Sequence, residues 1–215
     1  MENFKTVLNL GSAEIVEKKS RFIANAMPVK SEEEAKAFIE EIKKRYWDAR
    51  HNVFAYQIGL KNGVQRFSDD GEPQGTAGMP VLNVLTGEDI KNCVIVVTRY
   101  FGGTLLGTGG LVRAYGKSAK EALYNAQIAE IGEYCEFEVI CDYSLQGKIQ
   151  YMIMGGQYVL KDIVFTDTVR FVVLVGDAVK DKFLDRVTDI SNGKADVNEI
   201  RKVKGAMTEK GFIEI

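Results

Sequence analysis

The chain has 215 residues, of which 46% are hydrophobic and 27% are charged, a composition ordinary for a soluble globular protein. Its formal net charge is −2. The chain as a whole therefore lacks the strongly basic surface that is typical of nucleic-acid-binding proteins. No run approaches the ~20 apolar residues of a membrane span, and Glu2, Lys5 and Glu14 interrupt the first apolar runs, so we expect no membrane segment, no signal peptide and a cytoplasmic location.

The first predicted elements are strands followed by a helix. Residues 13–27 predict one or two strands, which Pro28 ends. Ser31 and Glu34 have the spacing of a capping box. Apolar residues recur at helical spacing behind this box and predict a helix over 32–46.

Three strands, two helices and a hairpin turn are predicted next. The runs HNVFAYQIGL and VQRFS flank residues 61–63, where the pair Asn62-Gly63 favours a tight hairpin turn. PVLNVL predicts a short helix with Pro80 near its start and Gly87 just past its end. NCVIVVT is typical of a buried strand, and the pattern after it predicts a helix over 110–126.

The composition changes near Gly132, and a new pattern of elements begins there. The order strand, helix, two strands, helix, strand predicts a βαββαβ unit, with Asp142 capping its first helix and Asp167-Thr168 turning its central hairpin. Such a unit forms a small antiparallel sheet with both helices on one face. We therefore predict an α+β protein with two domains, 1–131 and 132–215.

Charge is distributed unevenly between the two predicted domains. Residues 1–130 hold 17 Lys and Arg against 16 Asp and Glu, whereas the remainder holds 11 against 14. The second domain is therefore the poorer candidate for a surface that binds a polyanion.

The three cysteines, Cys93, Cys135 and Cys141, lie in apolar, strand-like runs and form no C-x-x-C motif. Their number and placement predict buried structural thiols in a reducing compartment. With one histidine in the chain, a zinc site is not expected, and no cofactor is predicted.

The segment RYFGGTLLGTGGLVRAYGKS, residues 99–118, has the composition of a phosphate-binding loop but fits neither nucleotide template, because Leu111 and Val112 stand where glycines are required. Thr108 is a plausible N-cap, and the amides of Gly109, Gly110 and Leu111 would then be unpaired at a helix start, which favours an anion. Arg99 and Arg113 could complete an anion clamp. Alternatively, the glycines make a structural turn and the arginines pair within the protein.

The segment RFSDDGEPQGTAG places Asp69, Asp70 and Glu72 close together. These carboxylates could bind a divalent cation or work in acid–base chemistry, but turn formation or pairing with Arg99 or Arg113 is the favoured interpretation. His51 is the one histidine; it is better explained as a hydrogen-bonded residue at a strand end than as a catalytic base, and nucleophilic hydrolysis is not indicated.

Four segments together resemble the IMPACT (YigZ/YvyE) protein family in its bacterial, two-domain form. They are KSRFIA (19–24), HNVFAY (51–56), RFSDDGEPQGTAGMPVLNVL (66–85) and VVTRYFGGTLLGTGGLVRAYGKSA (96–119). The resemblance implies a βαβ-rich first domain similar to domain IV of elongation factor G and a ferredoxin-like second domain. It also implies that eukaryotic relatives regulate translation by binding a protein partner, whereas nucleic acid or the ribosome is suggested as the partner of bacterial relatives.

The resemblance carries no catalytic residues over to this chain. It implies a binding surface made of the motif residues His51, Asp69, Asp70, Glu72, Arg99, Tyr100, Gly102, Gly103, Gly109, Gly110 and Arg113.

Three functions follow from the sequence. The first is a non-catalytic protein associated with translation that binds RNA or the ribosome, with Tyr100 or Phe101 free to stack on a base. The second is a protein–protein adaptor in translation control. The third is a metal-dependent enzyme acting on a phosphorylated small molecule.

Overall fold

The computed structural model describes residues 3–61 and 63–215. They form two compact units: a first unit of Phe4–Ala129, and a second unit of Glu130–Ile215 together with Asn3. Both units combine helices and strands, which confirms the predicted α+β, two-domain class. The domain boundary between residues 131 and 132 stays a prediction.

The first unit contains six strands and three helices. The strands are β1 (Phe4–Val7), β2 (Gly11–Glu17), β3 (Ser20–Pro28), β4 (His51–Ile58), β5 (Val64–Ser68) and β6 (Cys93–Tyr100). The helices are α1 (Glu32–Arg45), α2 (Gly78–Gly87) and α3 (Thr108–Asn125).

Five of these strands form one sheet in the order β2-β3-β6-β4-β5, and each neighbouring pair is antiparallel. Strands β3 and β4 both pair with β6, so they run in the same direction, and α1 connects them across β6. Strands β5 and β6 are related in the same way across β4, with α2 between them. The sheet is therefore built from two split βαβ units.

Helices cover both faces of this sheet. On one face, α2 and α3 pack on Ile95 and Val97 of β6. On the other face, α1 packs on Val94 and Val96. Because β6 is buried on both faces, its sequence is apolar at every position from 93 to 97 rather than alternating.

The second unit has the predicted βαββαβ order, with one strand added at its end. Its elements are β7 (Ile128–Cys141), α4 (Tyr143–Met154), β8 (Tyr158–Phe165), β9 (Val169–Gly176), a 3₁₀ turn (Asp177–Val179), α5 (Lys180–Ser191), β10 (Asp196–Thr208) and β11 (Gly211–Glu214). The sheet order is β11-β10-β7-β9-β8, so its four principal strands have the ferredoxin-like arrangement. Helices α4 and α5 share one core, which includes Ile149, Phe171 and Phe183.

Several local predictions can be compared directly with the structure. Helix α1 begins as predicted, with Ser31 Oγ accepting from the Glu34 amide at 3.3 Å, but the Glu34 carboxylate accepts from the Lys30 amide rather than closing the box on Ser31. Asp142 occupies the N-cap of α4 without a side-chain hydrogen bond to the helix. The predicted turn residue Asn62 lies outside the described residues; the strands on either side, β4 and β5, pair as a hairpin.

All three cysteines are buried and none forms a disulfide. Burial raises the pKa of the Cys93 thiol to about 12, so this thiol is protonated and unreactive in the folded protein. Within residues 3–61 and 63–215, no helix combines the length and the apolar character needed to cross a membrane.

Candidate functional site

The motif residues gather at one end of the sheet of the first unit. The strand register places Arg21 opposite Tyr100 and His51 opposite Arg99. The turn before β3, the loops after β5 and β6, and the start of α3 therefore meet at this end. We call this region the loop end; it consists of residues 17–21, 47–51, 69–77 and 99–113.

Asp69 organises the acidic loop through its carboxylate. One carboxylate oxygen accepts from the amides of Ala77 and Gly78, at 3.1 and 2.8 Å, and the other accepts from the Gly75 amide at 2.8 Å. These bonds satisfy donors at the start of α2, which are unpaired in an isolated helix. Asp69 thus fixes the loop, in agreement with the turn interpretation.

Asp70 and His51 connect the acidic loop to β4. Asp70 has a φ of 42°, in the left-handed region, and its carboxylate accepts from the Asn52 amide at 2.6 Å. His51 Nδ1 lies 2.8 Å from the Asp70 carbonyl oxygen. Because a carbonyl oxygen only accepts, Nδ1 carries the proton of the neutral ring, which leaves Nε2 as the acceptor.

Glu72 and Arg99 form a buried ion pair, with 3% and 7% of their side chains exposed. Glu72 Oε1 accepts from Arg99 Nη1 and from the Tyr115 hydroxyl, both at 2.7 Å. Burial, followed by the hydrogen bond to Glu72, raises the pKa of Tyr115 far above its usual range. Tyr115 therefore remains a neutral donor to the carboxylate.

The environment of Arg99 agrees with the alternative in which the arginine pairs within the protein and not with the alternative of a two-arginine anion clamp. Its guanidinium lies between the rings of Phe22 and Phe101, 5.5 and 5.6 Å from their centroids, and its Nη2 lies 3.5 Å from Ser20 Oγ. Nε has no hydrogen-bond partner in the described part of the chain. Arg99 pairs with the protein's own carboxylate, so its charge is compensated inside the protein, and its guanidinium packs against Phe101.

Gly102 and Gly103 make the turn that follows β6. A Cβ on Gly102 would lie 2.0 Å from the carbonyl carbon of Lys19, so only glycine permits this approach. The Gly102 amide donates to Ser20 Oγ at 3.2 Å. Gly103 has a φ of 80°, a conformation that glycine adopts without strain.

Lys18 and Lys19 form the two-residue turn between β2 and β3. Glu17 pairs with Ser20, and the two lysines have φ values of 44° and 68°. Turns with positive φ at both positions normally use Asn or Gly, which is why the sequence pattern did not reveal this one. The turn presents two cationic side chains beside the glycine loop.

The start of α3 differs from the prediction in two respects. Gly107, with a φ of 73°, is the N-cap, and Thr108 is the first helical residue. The Leu111 amide, expected to be unpaired, donates to the Gly107 carbonyl at 3.0 Å. No hydrogen bond to the amides of Thr108, Gly109 and Gly110 occurs within the described chain, so three donors remain at the positive end of the helix dipole.

A pocket of about 220 Å³ lies beside this helix start. Its charged lining residues are Glu17, Lys18, Arg113 and Lys117. Arg113 folds over the first turn, since a Cβ on Gly109 would lie 3.5 Å from its Nη1. Neither Lys18 nor Arg113 has an ion pair among the described residues, and Lys117 has only a 3.9 Å contact with Glu121. Positive charge therefore exceeds negative charge around the free amides.

Tyr100 ends β6 as a partly buried aromatic residue, and exposed Phe101 follows it. The Tyr100 hydroxyl donates to Asp48 at 2.7 Å, and this bond, with burial, raises the pKa of Tyr100 to about 12. The Arg21 guanidinium lies 5.6 Å from the centroid of the Tyr100 ring. Phe101 is 55% exposed, so its ring is accessible although Arg99 packs against it.

Four residues of the loop end and its supporting helix were not predicted from the sequence: Lys18, Ser20, Tyr115 and Lys117. Ser20 was detectable because it lies within KSRFIA, and Lys117 because it lies within the glycine-rich segment of residues 99–118. Tyr115 is buried within the helix predicted over 110–126, where its pattern is that of a core residue.

The acidic loop does not form a metal centre in the described chain. No group of three or more His, Cys, Asp and Glu residues with a suitable arrangement occurs there. The carboxylates of Asp69, Asp70 and Glu72 instead accept hydrogen bonds from backbone amides, Arg99 and Tyr115.

Comparison with known proteins identifies two family models in the chain. The Impact N-terminal domain matches residues 18–123, a range that contains all eleven motif residues. A domain of unknown function, DUF1949, matches residues 139–194. The two matches fall in the first and second units, respectively.

Whole proteins of similar length also match. The chain is 42% identical over 199 residues to the IMPACT family member YvyE of Bacillus subtilis (strain 168), covering 93% of this chain and 92% of that protein. It is 39% identical over 181 residues to the IMPACT family member YigZ of Escherichia coli (strain K12), covering 82% and 87%. A crystal structure of a hypothetical protein, 32% identical, superposes with a TM-score of 0.59 over 94% of this chain and 98% of that one.

Proposed function

Because the chain belongs to the IMPACT family, we propose that it is a non-catalytic cytoplasmic protein of the translation apparatus that binds RNA, free or within the ribosome. The family resemblance supports the link to translation, since it implies that eukaryotic relatives regulate this process. The loop end of the first unit is the surface through which RNA would bind.

One observation carries this proposal: cations without ion pairs lie beside amides without partners, as far as the described residues are concerned. Lys18 and Arg113 lie beside the amides of Thr108, Gly109 and Gly110. Backbone amides at a helix start and basic side chains are both phosphate ligands in nucleic-acid complexes. In this proposal Arg113 contacts the phosphate, and Arg99 supports the loop from inside.

The acidic loop supports a binding role over a catalytic one. A phosphoester-processing enzyme needs carboxylates that are free to act on substrate or metal. Here Asp69 and Asp70 hold backbone amides, and Glu72 holds Arg99 and Tyr115. These groups are committed to the architecture of the loop end.

The number of cations limits the expected strength of binding. With Lys18, Arg113 and Lys117 at the pocket, about three phosphates would be neutralised, which predicts a slope near −2 for log K against log salt on single-stranded RNA. Binding would therefore be modest and lost at high salt.

A filter-binding titration across salt concentrations tests the proposal, using total ribosomal RNA and intact ribosomes as probes. We expect retention at low salt, and we expect Arg113→Ala to weaken it and to reduce the salt slope by about 0.7, one phosphate contact. Arg186→Ala is the matched control, because Arg186 is an exposed helical arginine of the second unit. Absence of retention by the wild type, or equal retention by Arg113→Ala, would contradict the proposal.

A protein–protein adaptor is the second candidate, favoured by the exposed face of α4. Tyr143, Tyr151 and Met154 are between 54% and 82% exposed there, and the Tyr143 ring stacks on exposed Phe165 at 6.4 Å. Exposed apolar side chains grouped in this way are typical of protein interfaces. A stoichiometric protein partner that is lost with Tyr151→Ala and retained with Arg113→Ala would favour this function over RNA binding.

A further inference from the structure

The segment KKRYWDAR, residues 43–50, comprises the last turn of α1 and the connection to β4, and it takes no part in the pocket beside α3. It contains Trp47, the only tryptophan of the chain, whose side chain is 82% exposed. The Ala49 amide donates to the Tyr46 carbonyl at 3.0 Å, which closes a tight turn around Trp47. The indole is therefore largely exposed on a hydrogen-bonded turn.

Trp47 lies within the loop end, and its neighbour Asp48 connects it to Tyr100 of β6. Asp48 accepts from the Tyr100 hydroxyl at 2.7 Å, and Tyr100 directly precedes Phe101 and the glycine loop. Arg21, which lies against the Tyr100 ring, is itself fixed by Glu14 through two hydrogen bonds of 2.9 and 3.1 Å. The surroundings of Trp47 are thus held in place before any ligand binds.

The charge around Trp47 favours a polyanion. Residues 43–50 carry four cations and one carboxylate, Asp48, and that carboxylate is engaged by the Tyr100 hydroxyl. Lys44 and Arg50 have no ion pair within the part of the chain that the structure describes, whereas Lys43 and Arg45 contact glutamates of α1. An exposed aromatic ring flanked in sequence by two cations without ion pairs among the described residues suits a nucleotide whose base stacks while its phosphates meet the cations.

This combination selects unpaired over paired RNA. In a duplex the base faces are covered by neighbouring base pairs, whereas in single strands and loops they are free to stack on protein side chains. We propose that Trp47 stacks on an unpaired base of single-stranded or looped RNA, with Lys44 and Arg50 at the flanking phosphates. This inference rests on the proposed RNA-binding function and names its substrate class.

The fluorescence of Trp47 tests the inference directly, because no other tryptophan contributes. A 12-nucleotide single-stranded RNA is titrated against the full-length protein at low salt, alongside the duplex of the same strand with its complement. We expect quenching by the single strand and little change with the duplex.

Affinity is then measured by filter binding with three variants. Trp47→Ala is expected to lose between about five-fold and about 150-fold in affinity, the range measured for loss of one stacked base, and Trp47→Phe is expected to retain most of it. Tyr124→Ala is the matched control, since Tyr124 is half exposed at the opposite end of α3, about 24 Å along the helix from the loop end.

The outcomes separate this inference from the proposed function. RNA binding could depend on Arg113 without changing the fluorescence of Trp47, and Trp47→Ala could bind RNA with unchanged affinity. That result would overturn the stacking role of Trp47 and leave the proposed function standing. Equal quenching by duplex and single strand would overturn the substrate class. A response to polyglutamate but not to RNA would assign the surface to an acidic protein, and no RNA binding at all would overturn both proposals.

Discussion

Replacing Arg99 by methionine is expected to destabilise the first unit strongly. The substitution keeps most of the side-chain volume but removes the cation from a pair whose side chains are 7% and 3% exposed. Glu72 now accepts hydrogen bonds from Arg99 and from the Tyr115 hydroxyl. In the variant it would remain buried and keep only the bond from Tyr115. Breaking a buried pair in this way costs about 3–5 kcal/mol, and we expect Arg99→Met to fall in this range.

Equilibrium urea unfolding followed by far-ultraviolet circular dichroism measures this loss, with Arg113→Met as the matched control. Arg113 is exposed and has no ion pair within the described residues, so its replacement should change the free energy of unfolding by less than about 0.5 kcal/mol. Adding Glu72→Gln to Arg99→Met should recover stability, because the amide is neutral and still accepts from Tyr115.

The decisive result is whether adding Glu72→Gln raises or lowers the free energy of unfolding of Arg99→Met. If the double variant is less stable than Arg99→Met alone, the unpaired carboxylate of Glu72 is not the cause of the lost stability. The assignment of Arg99 as the internal partner of Glu72 would then be wrong. A loss of less than about 1 kcal/mol for Arg99→Met would refute the reasoning as well, since it would place the pair among surface salt bridges.

Three further outcomes follow from the same contacts. Gly102→Ala should lower the free energy of unfolding by at least about 1–3 kcal/mol, because its Cβ would overlap Lys19. Gly116→Ala in α3 has open space at its Cβ and should raise the free energy of unfolding by up to about 1 kcal/mol. Urea unfolding compares the two, and a Gly102→Ala variant as stable as the wild type would contradict the close approach. Asp69→Ala should lower the free energy of unfolding by about 2–3 kcal/mol, because three hydrogen bonds from backbone amides are lost. We expect faster hydrogen exchange at the amides of Gly75 and Ala77, and unchanged exchange there would contradict this role of Asp69. Burial raises the pKa of Cys93 to about 12, so the thiolate fraction should rise only as the pH approaches that value. At pH 8 the thiol should therefore resist a thiol-specific disulfide reagent until the protein unfolds. Rapid labelling of the folded protein would contradict this expectation.

The sequence predicted the architecture well where one physical signal dominated. Helix α1 follows from the apolar spacing behind Ser31, and β6 from an apolar run of β-branched residues. The βαββαβ order of the second unit followed from alternating periodicities in the same way. Strands β1 and β11 were not predicted, because four residues are too few to establish a period.

The candidate site was harder to predict, because its residues acquire their roles from tertiary contacts. The sequence placed Arg99 and Arg113 near one loop and left open whether they meet an anion or the acidic loop. Strand parity turns Arg99 into the interior beside Glu72, whereas Arg113 lies on an exposed helix turn. The Lys18-Lys19 turn carries no Asn or Gly, so neighbouring structure, rather than local propensity, enforces its conformation.

The position of Arg99 at the end of β6 has a consequence for how the sheet aligns during folding. The stretch from Cys93 to Val97 is apolar at every position, so shifting β6 by one residue would still bury apolar side chains on both faces. The same shift would turn Arg99 toward the α1 face, away from Glu72, and would separate Thr98 from Asn52, whose side chains bond at 2.7 Å. These two polar contacts therefore discriminate the native alignment from its nearest competitors, and the arginine that anchors the glycine loop also specifies the register of the central strand.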